Sequence, residues 1–330
     1  MAEVSSSARM GSITVEEVLS QPKTSVNLYL HLSDRRYVLV AKAGGSTEPL
    51  FRYQQRKVLY FYIRDSDFTA LFETSLSMTN ALLNSGLQPN PMLLSALEPG
   101  VSALYSEFGE GGFDEETLAH SRMIADATVG FCSSDLELQK IVQGILNMKN
   151  NAEQHSLMVS SFATMIALSL GWRSPVILQK LALGGFLHDV GLVKIPSEIS
   201  AKSEAEMTKD ELVIYRSHIE LGTHQLASFK KLPSDVSLMI AQHHELADGT
   251  GYPQGTKDLF MSPLGRVLSA ANALADITSE EAHRQGGIGI DQAFDKAVKA
   301  VTINNNHLFN KDVLKAIMNL SHGSSGKKVA

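Results

Sequence analysis

The sequence predicts a mainly α chain, with a small N-terminal α+β unit followed by an all-helical domain of several helices around a two-metal site. Three observations carry this expectation. Apolar and polar residues alternate near the start of the chain, as they do along a half-buried strand. From about His155 onward apolar residues recur at helical spacing almost without a break. Histidines and aspartates then stand at the ends of these helical stretches, where several helices can bring them together.

Val26, Leu28, Leu30 and Leu32 alternate with polar residues and predict a first strand. Asp34-Arg35-Arg36 offers a polar turn, and Tyr37 to Val40 reads as the partner strand. Lys57 to Ile63, rich in aromatic and β-branched residues, predicts a third. The α+β unit is thus expected over about the first 65 residues, with helix from near Phe68. Pro89, Pro91, Pro99 and Gly100 punctuate the next stretch, and Thr117 to Asn150 reads as a helical connector. Met158, Phe162, Met165 and Ile166 form one apolar helix face that Gly171 can end. Ile214, Ile219 and Leu226, then Val236, Leu238 and Ile240, then Phe294, Ala297, Val298 and Val301, continue the helical pattern. The expected division is an N-terminal regulatory or input region over residues 1–145, the helical domain over 146–320, and a disordered tail over 321–330.

A chain of 330 residues fits two domains of ordinary size. A formal charge of -6 and a pI near 6.0 argue against a nucleic-acid polymer as partner. The single cysteine, Cys132, excludes an intrachain disulfide and reads as a buried small hydrophobe. The first residues are polar and carry no apolar signal segment, and no stretch is expected to approach the roughly 20 apolar residues of a membrane span. A cytoplasmic location is the corresponding expectation. Helical connectors often pair, so a homodimer is compatible with this organisation.

His155 lies at a helix start, and His188-Asp189 closes an apolar helix just before Gly191. His218 reads as mid-helix. His243-His244-Glu245 ends a further helix, immediately before Asp248-Gly249-Thr250-Gly251-Tyr252-Pro253. Any one of these histidines alone would more often be a satisfied core or surface residue. Together they supply imidazole nitrogen and carboxylate oxygen, which suit borderline first-row ions such as iron, manganese or zinc. A carboxylate can bridge two ions, and two ions can brace an in-line displacement at phosphorus. In the loop, Gly249 and Gly251 permit tight turns and Pro253 fixes the chain after Tyr252.

The order H, HD, H, HH and D-G-x-G-Y-P resembles the HD-GYP family, over about Ala152 to Asn319. Members of that family are metal-dependent phosphodiesterases that open the bacterial second messenger cyclic di-GMP. The resemblance implies that His155, His188, Asp189, His218, His243 and His244 are metal ligands, with Asp189 as the bridge and a catalytic residue. It implies two divalent ions, with iron favoured over manganese. It also implies that the loop Asp248, Gly249, Gly251, Tyr252, Pro253 serves as a docking surface for GGDEF-type cyclase domains; the residues fit a plain structural turn equally well.

The chain departs from the family pattern at five places. Leu192 stands where a lysine usually follows HD-x-G, with Lys194 as a candidate substitute for phosphate binding. Asn151 replaces a glutamate one turn before the first histidine, so two ions rather than three are expected; Glu153 points elsewhere on a helix. Asn272 replaces the last ligand aspartate. By register it completes the metal site, with Asp276 one turn later in reserve or as a hydrogen-bonding support. Glu281 and His283 replace an arginine and a tyrosine, which makes His283 a candidate proton donor, while Arg284 keeps the basic character for substrate binding. Three functions are compatible: a cyclic di-GMP phosphodiesterase, a metal-containing binding or interaction module that has lost turnover, and, ranked last, a phosphohydrolase for another nucleotide.

Overall fold

In a computed structural model of the chain, the residues described are 3–5, 10–19, 22–24, 26–33, 36–64, 113–134, 138–148, 151–284 and 289–323, with short pieces between 67 and 108. The contacts divide it into two compact units, Met1–Ser85 with Ser95–Gly112, and Gly86–Leu94 with Phe113–Ala330. The turn at Asp34-Arg35, the helix start near Phe68, the prolines at 89, 91 and 99, and the tail from Ser324 lie outside the described residues.

The first unit contains β1 (Glu3–Ser5), β2 (Met10–Thr14), α1 (Val15–Leu19), β3 (Leu28–Ser33), β4 (Arg36–Ala41), α2 (Phe51–Gln55) and β5 (Tyr60–Arg64). The strands form one antiparallel sheet in the order β1-β4-β3-β5-β2. Leu28, Phe61 and Ile63 turn one sheet face onto Val15 and Val18 of α1 and onto Leu50 and Tyr53 around α2, which makes the core. Leu30 packs against this core as the alternation predicts, whereas Leu32 is 52% exposed at the strand end. The strand expected from Lys57 begins only at Tyr60. Lys57 has φ 59, and Val58 N donates to Tyr53 O at 3.0 Å, so these residues finish α2 instead. The alternation pattern gave no sign of β1 and β2. β1 has only three residues, β2 places Met10 and Ile13 without a two-residue period, and β2 is held by backbone pairing with β5 from Met10↔Arg64 to Thr14↔Tyr60.

The second unit is helical: α3 (Glu115–Cys132), α4 (Leu138–Leu146), α5 (Asn151–Ser169), α6 (Pro175–Leu187), α7 (Ser197–Ser200), α8 (Lys209–Arg216), α9 (His218–Leu226), α10 (Ser234–Ala241), α11 (Pro263–His283), α12 (Ile290–Lys299) and α13 (Lys311–Gly323). The connector helices α3 and α4, read from sequence as part of the N-terminal region, sit in this unit. Helix α13 runs to Gly323, so the first residues of the expected tail are helical. Asp114 starts α3 as a cap, its carboxylate accepting from Glu116 N and Thr117 N. Helix α5 is the axle of the unit and packs on α3, α6, α11 and α13. Leu157, Met158, Phe162 and Ile166 are fully buried along it.

Helix α6 and the 3-10 turn after it, Pro175–Lys194, are long and apolar enough to cross a membrane, which corrects the expectation that no stretch approaches that limit. The stretch is 61% buried, and α6 packs among α3, α5 and α10, as a core helix does. The turn Val190–Lys194 lies against α9. A Cβ at Gly191 would overlap the His218 carbonyl and come within 2.7 Å of Gly222 N. Only glycine permits this approach, and the approach is what sets Asp189 beside His218.

Candidate metal centre

Each histidine enters the centre from a helix end. His155 lies in the first turns of α5, and His188 caps the C-terminus of α6 with Asp189 directly after it. His218 opens α9 and is not mid-helix as expected: α8 stops at Arg216, and Ser217 separates the two helices. His243 and His244 follow the C-terminus of α10.

Three of the rings are locked by the same local device. Nδ1 of His188 lies 2.7 Å from Gly185 O, that of His218 2.7 Å from Tyr215 O, and that of His243 2.6 Å from Ile240 O. A carbonyl only accepts, so each Nδ1 carries the proton and each Nε2 carries the lone pair. Those lone-pair atoms face one another: His155 Nε2 is 3.1 Å from His188 Nε2, and His218 Nε2 is 3.3 Å from His243 Nε2. Burial, followed by the charge of neighbouring histidines, pushes the His244 imidazole well below its usual range. The His218 imidazole is pushed down too, chiefly by burial and against the pull of Asp189. Converging lone pairs of this kind repel each other unless a cation lies among them.

Asp189 joins the two pairs. Its Oδ2 lies 3.2 Å from His188 Nε2 and 3.7 Å from His155 Nε2, while its Oδ1 lies 3.4 Å from His218 Nε2 and 3.6 Å from His243 Nε2. Burial would raise this carboxyl, but His188, then His243 and His218, hold it well below the ordinary carboxylate range. Asp189 Oδ1 is buried without a hydrogen-bond partner. The donors fall into two overlapping groups, Asp189 with His218, His243 and His244, and Asp189 with His155 and His188. An orphaned carboxylate oxygen facing bare Nε2 atoms fits a site for metal.

On α11, Asn272 and Asp276 have different surroundings. Asn272 Oδ1 is buried and lacks a hydrogen-bond partner. Asp276 Oδ1 lies 3.4 Å from Nδ1 of His155, the ring nitrogen that does not face His188.

The residues expected to grip substrate are not members of the two donor groups. Lys194 is exposed, and Leu192 beside it is half-buried in the 3-10 turn. His283 and Arg284 are exposed at the C-terminal end of α11. Nδ1 of His283 is bound to Ser279 O at 2.8 Å, so its Nε2 can donate only when the ring is an imidazolium. Arg284 is paired with Glu280 and Glu281, both at 3.1 Å, and Glu281 is paired with Lys296 at 2.9 Å.

Sequence reasoning missed Glu245 and Arg216 as wall residues and gave Tyr252 only as part of the docking loop. Glu245 is buried, and its carboxylate accepts from Gln254 N at 2.8 Å and Thr256 N at 2.7 Å, holding the return of the Asp248–Pro253 loop. Tyr252 stacks on His244 with ring centroids 4.6 Å apart and planes 15° from parallel. Arg216 lies over Tyr252 at 4.2 Å. An arginine two residues before His218 and a glutamate directly after the histidine pair were the available signals.

Residues 140–302 match the family model of the HD domain. The chain is 34% identical over 128 residues to the cyclic di-GMP phosphodiesterase PdeB of Borreliella burgdorferi, a match covering 36% of this chain and 33% of that protein. It is 27% identical over 171 residues to the cyclic di-GMP phosphodiesterase PA4108 of Pseudomonas aeruginosa, covering 51% and 40%. The matched region thus spans less than half the length of these relatives. The fold is similar to that of Bd1817, an HDG"Y"P protein from Bdellovibrio bacteriovorus, with a TM-score of 0.69 over 96% of this chain and 100% of that one at 20% identity.

Proposed function

The chain belongs to the HD-GYP family through its helical unit, and on that premise we propose that it hydrolyses a phosphodiester bond of cyclic di-GMP at a two-metal centre, releasing the linear dinucleotide. The observation that supports this most is Asp189, whose two carboxylate oxygens each face a separate pair of histidine Nε2 atoms. His155, His188, Asp189, His218, His243 and His244 would hold the ions, and the orphaned Asn272 Oδ1 would complete the set. When bound, two such ions supply Lewis acidity toward the phosphoryl group and lower the pKa of water. The chain's own part is orientation. The three Nδ1–carbonyl bonds fix the rings, and Asp276 steadies His155 from behind. The mixed nitrogen and oxygen donors suit iron, manganese or zinc, and the family resemblance favours iron, with manganese next.

The same reading places the protein in a bacterial cytoplasm, with homodimer formation through the connector helices. It also assigns protein docking, with GGDEF-type cyclase domains as partner, to the surface after the loop. Tyr252 is turned onto His244, so that surface would rest on Leu259 and Phe260, which are 81% and 76% exposed. The test of the central claim is hydrolysis of cyclic di-GMP by full-length protein loaded anaerobically with ferrous iron, with metal counted on the same sample. Two ions per chain and linear product are expected. Two ions without product would replace the enzyme by a binding module.

The binding-module reading has its own support, because Arg284 and Glu281 are occupied by ion pairs and Leu192 offers no charge. It predicts that Leu192→Lys tightens cyclic di-GMP binding by about tenfold, the value of one charged hydrogen bond to phosphate. Equilibrium titration with a fluorescent cyclic dinucleotide measures this, and unchanged affinity counts against it. Restoring arginine at position 281 is the poorer test, since it would face Lys296.

A further inference from the structure

His244 differs from its neighbours in how it is held. His188, His218 and His243 each have a backbone carbonyl on Nδ1. No such bond reaches the His244 ring among the described residues. The ring instead lies between His243, with centroids 4.2 Å apart, and Tyr252, stacked at 4.6 Å and 15°. Tyr252 is in turn fixed from three directions. Its backbone N donates to His244 O at 3.1 Å. Its hydroxyl donates to Glu204 Oε1 at 2.9 Å. The Arg216 guanidinium covers its outer face at 4.2 Å and donates through Nη2 to Glu204 Oε2 at 2.9 Å. Glu204 thus ties the tyrosine and the arginine into one clamp.

We propose that Tyr252 is the positioning residue for His244, replacing by ring stacking the backbone hydrogen bond that orients His188, His218 and His243, with Arg216 and Glu204 holding the tyrosine in place. The inference rests on the metal-centre reading. It gives the tyrosine of the D-G-x-G-Y-P loop a task inside the site: His244 loses its orienting partner when the aromatic face is removed, and keeps it when only the hydroxyl is removed. The ion held by Asp189, His218, His243 and His244 is therefore the one that depends on Tyr252, while the His155–His188 side is indifferent to it.

The test is titration of metal-free full-length protein with Co(II) against a chelator, read by affinity and by the visible spectrum of the bound ion. Wild type is expected to take up two ions. Tyr252→Leu is expected to weaken one of them by roughly 10- to 100-fold, as loss of an orienting partner does, and to change its spectrum. Tyr252→Phe, which keeps the stacked face and loses only the hydrogen bond to Glu204, should weaken that ion by less than roughly tenfold. Arg216→Gln should weaken the same ion by less than roughly tenfold, the worth of a cation over an aromatic face. Arg216→Gln also decides the matter if Tyr252→Leu does not fold. Unchanged affinity and spectrum in Tyr252→Leu, or in Arg216→Gln when it is the deciding variant, would overturn the inference, as would a Tyr252→Phe protein as impaired as Tyr252→Leu. Wild-type protein that takes up no cobalt would overturn the metal-centre reading, and this inference with it.

Discussion

Asp189→Ala is expected to abolish uptake of the metal pair and to reduce cyclic di-GMP hydrolysis at least on the order of a thousandfold, since the pair supplies several kcal/mol of transition-state stabilisation. The reasoning is geometric. Among the described residues, no other side chain places one oxygen against His155 and His188 and the other against His218 and His243. Removing the carboxylate leaves four facing imidazoles and no negative charge between them to hold two divalent ions near each other. Metal counting and a hydrolysis assay on one preparation check both halves. Hydrolysis that persists with no metal bound would refute the two-metal reading, whereas a folded variant that keeps both ions would refute the bridging role.

The second large effect lies outside the ligand set. Gly191→Ala should destabilise the helical unit by about 3 kcal/mol, the upper part of the range for forced overpacking. For a unit of this size that lowers the melting temperature by roughly 6–12 °C. The added methyl would overlap the His218 carbonyl and crowd Gly222 N, both backbone atoms that cannot rotate away. Gly289→Ala is the control, because nothing lies within 4 Å of its Cβ position. Thermal unfolding followed by circular dichroism measures both, and equal melting temperatures for the two variants would show that the turn and α9 can separate without cost.

The parts of the molecule that were legible from sequence are those governed by residue type and period. Leu28, Val38 and Phe61 announced β3, β4 and β5 because one face of the sheet is buried. β1 and β2 carry no such signal, and their stability comes from backbone pairing with strands far along the chain. The break at Ser217 was invisible because neither glycine nor proline marks it, so His218 read as mid-helix. The six ligand candidates were legible because metal chemistry demands histidine and aspartate. Arg216 and Glu204 were not, and Tyr252 was read only as a loop residue, because stacking on His244 arises from residues up to 48 positions apart whose types suit many other uses. Register placed Asn272 and Asp276 on one helix face. Only the structure separates a buried orphan oxygen from a carboxylate beside the outer nitrogen of His155.

Glu245 couples two things that a sequence keeps separate. Its backbone is joined directly to His244, and its carboxylate grips the amides of Gln254 and Thr256. The loop and the last two histidines are therefore linked rather than independent. A displacement of the loop near residue 255 is felt at His244 through Glu245 as well as through the stacked Tyr252.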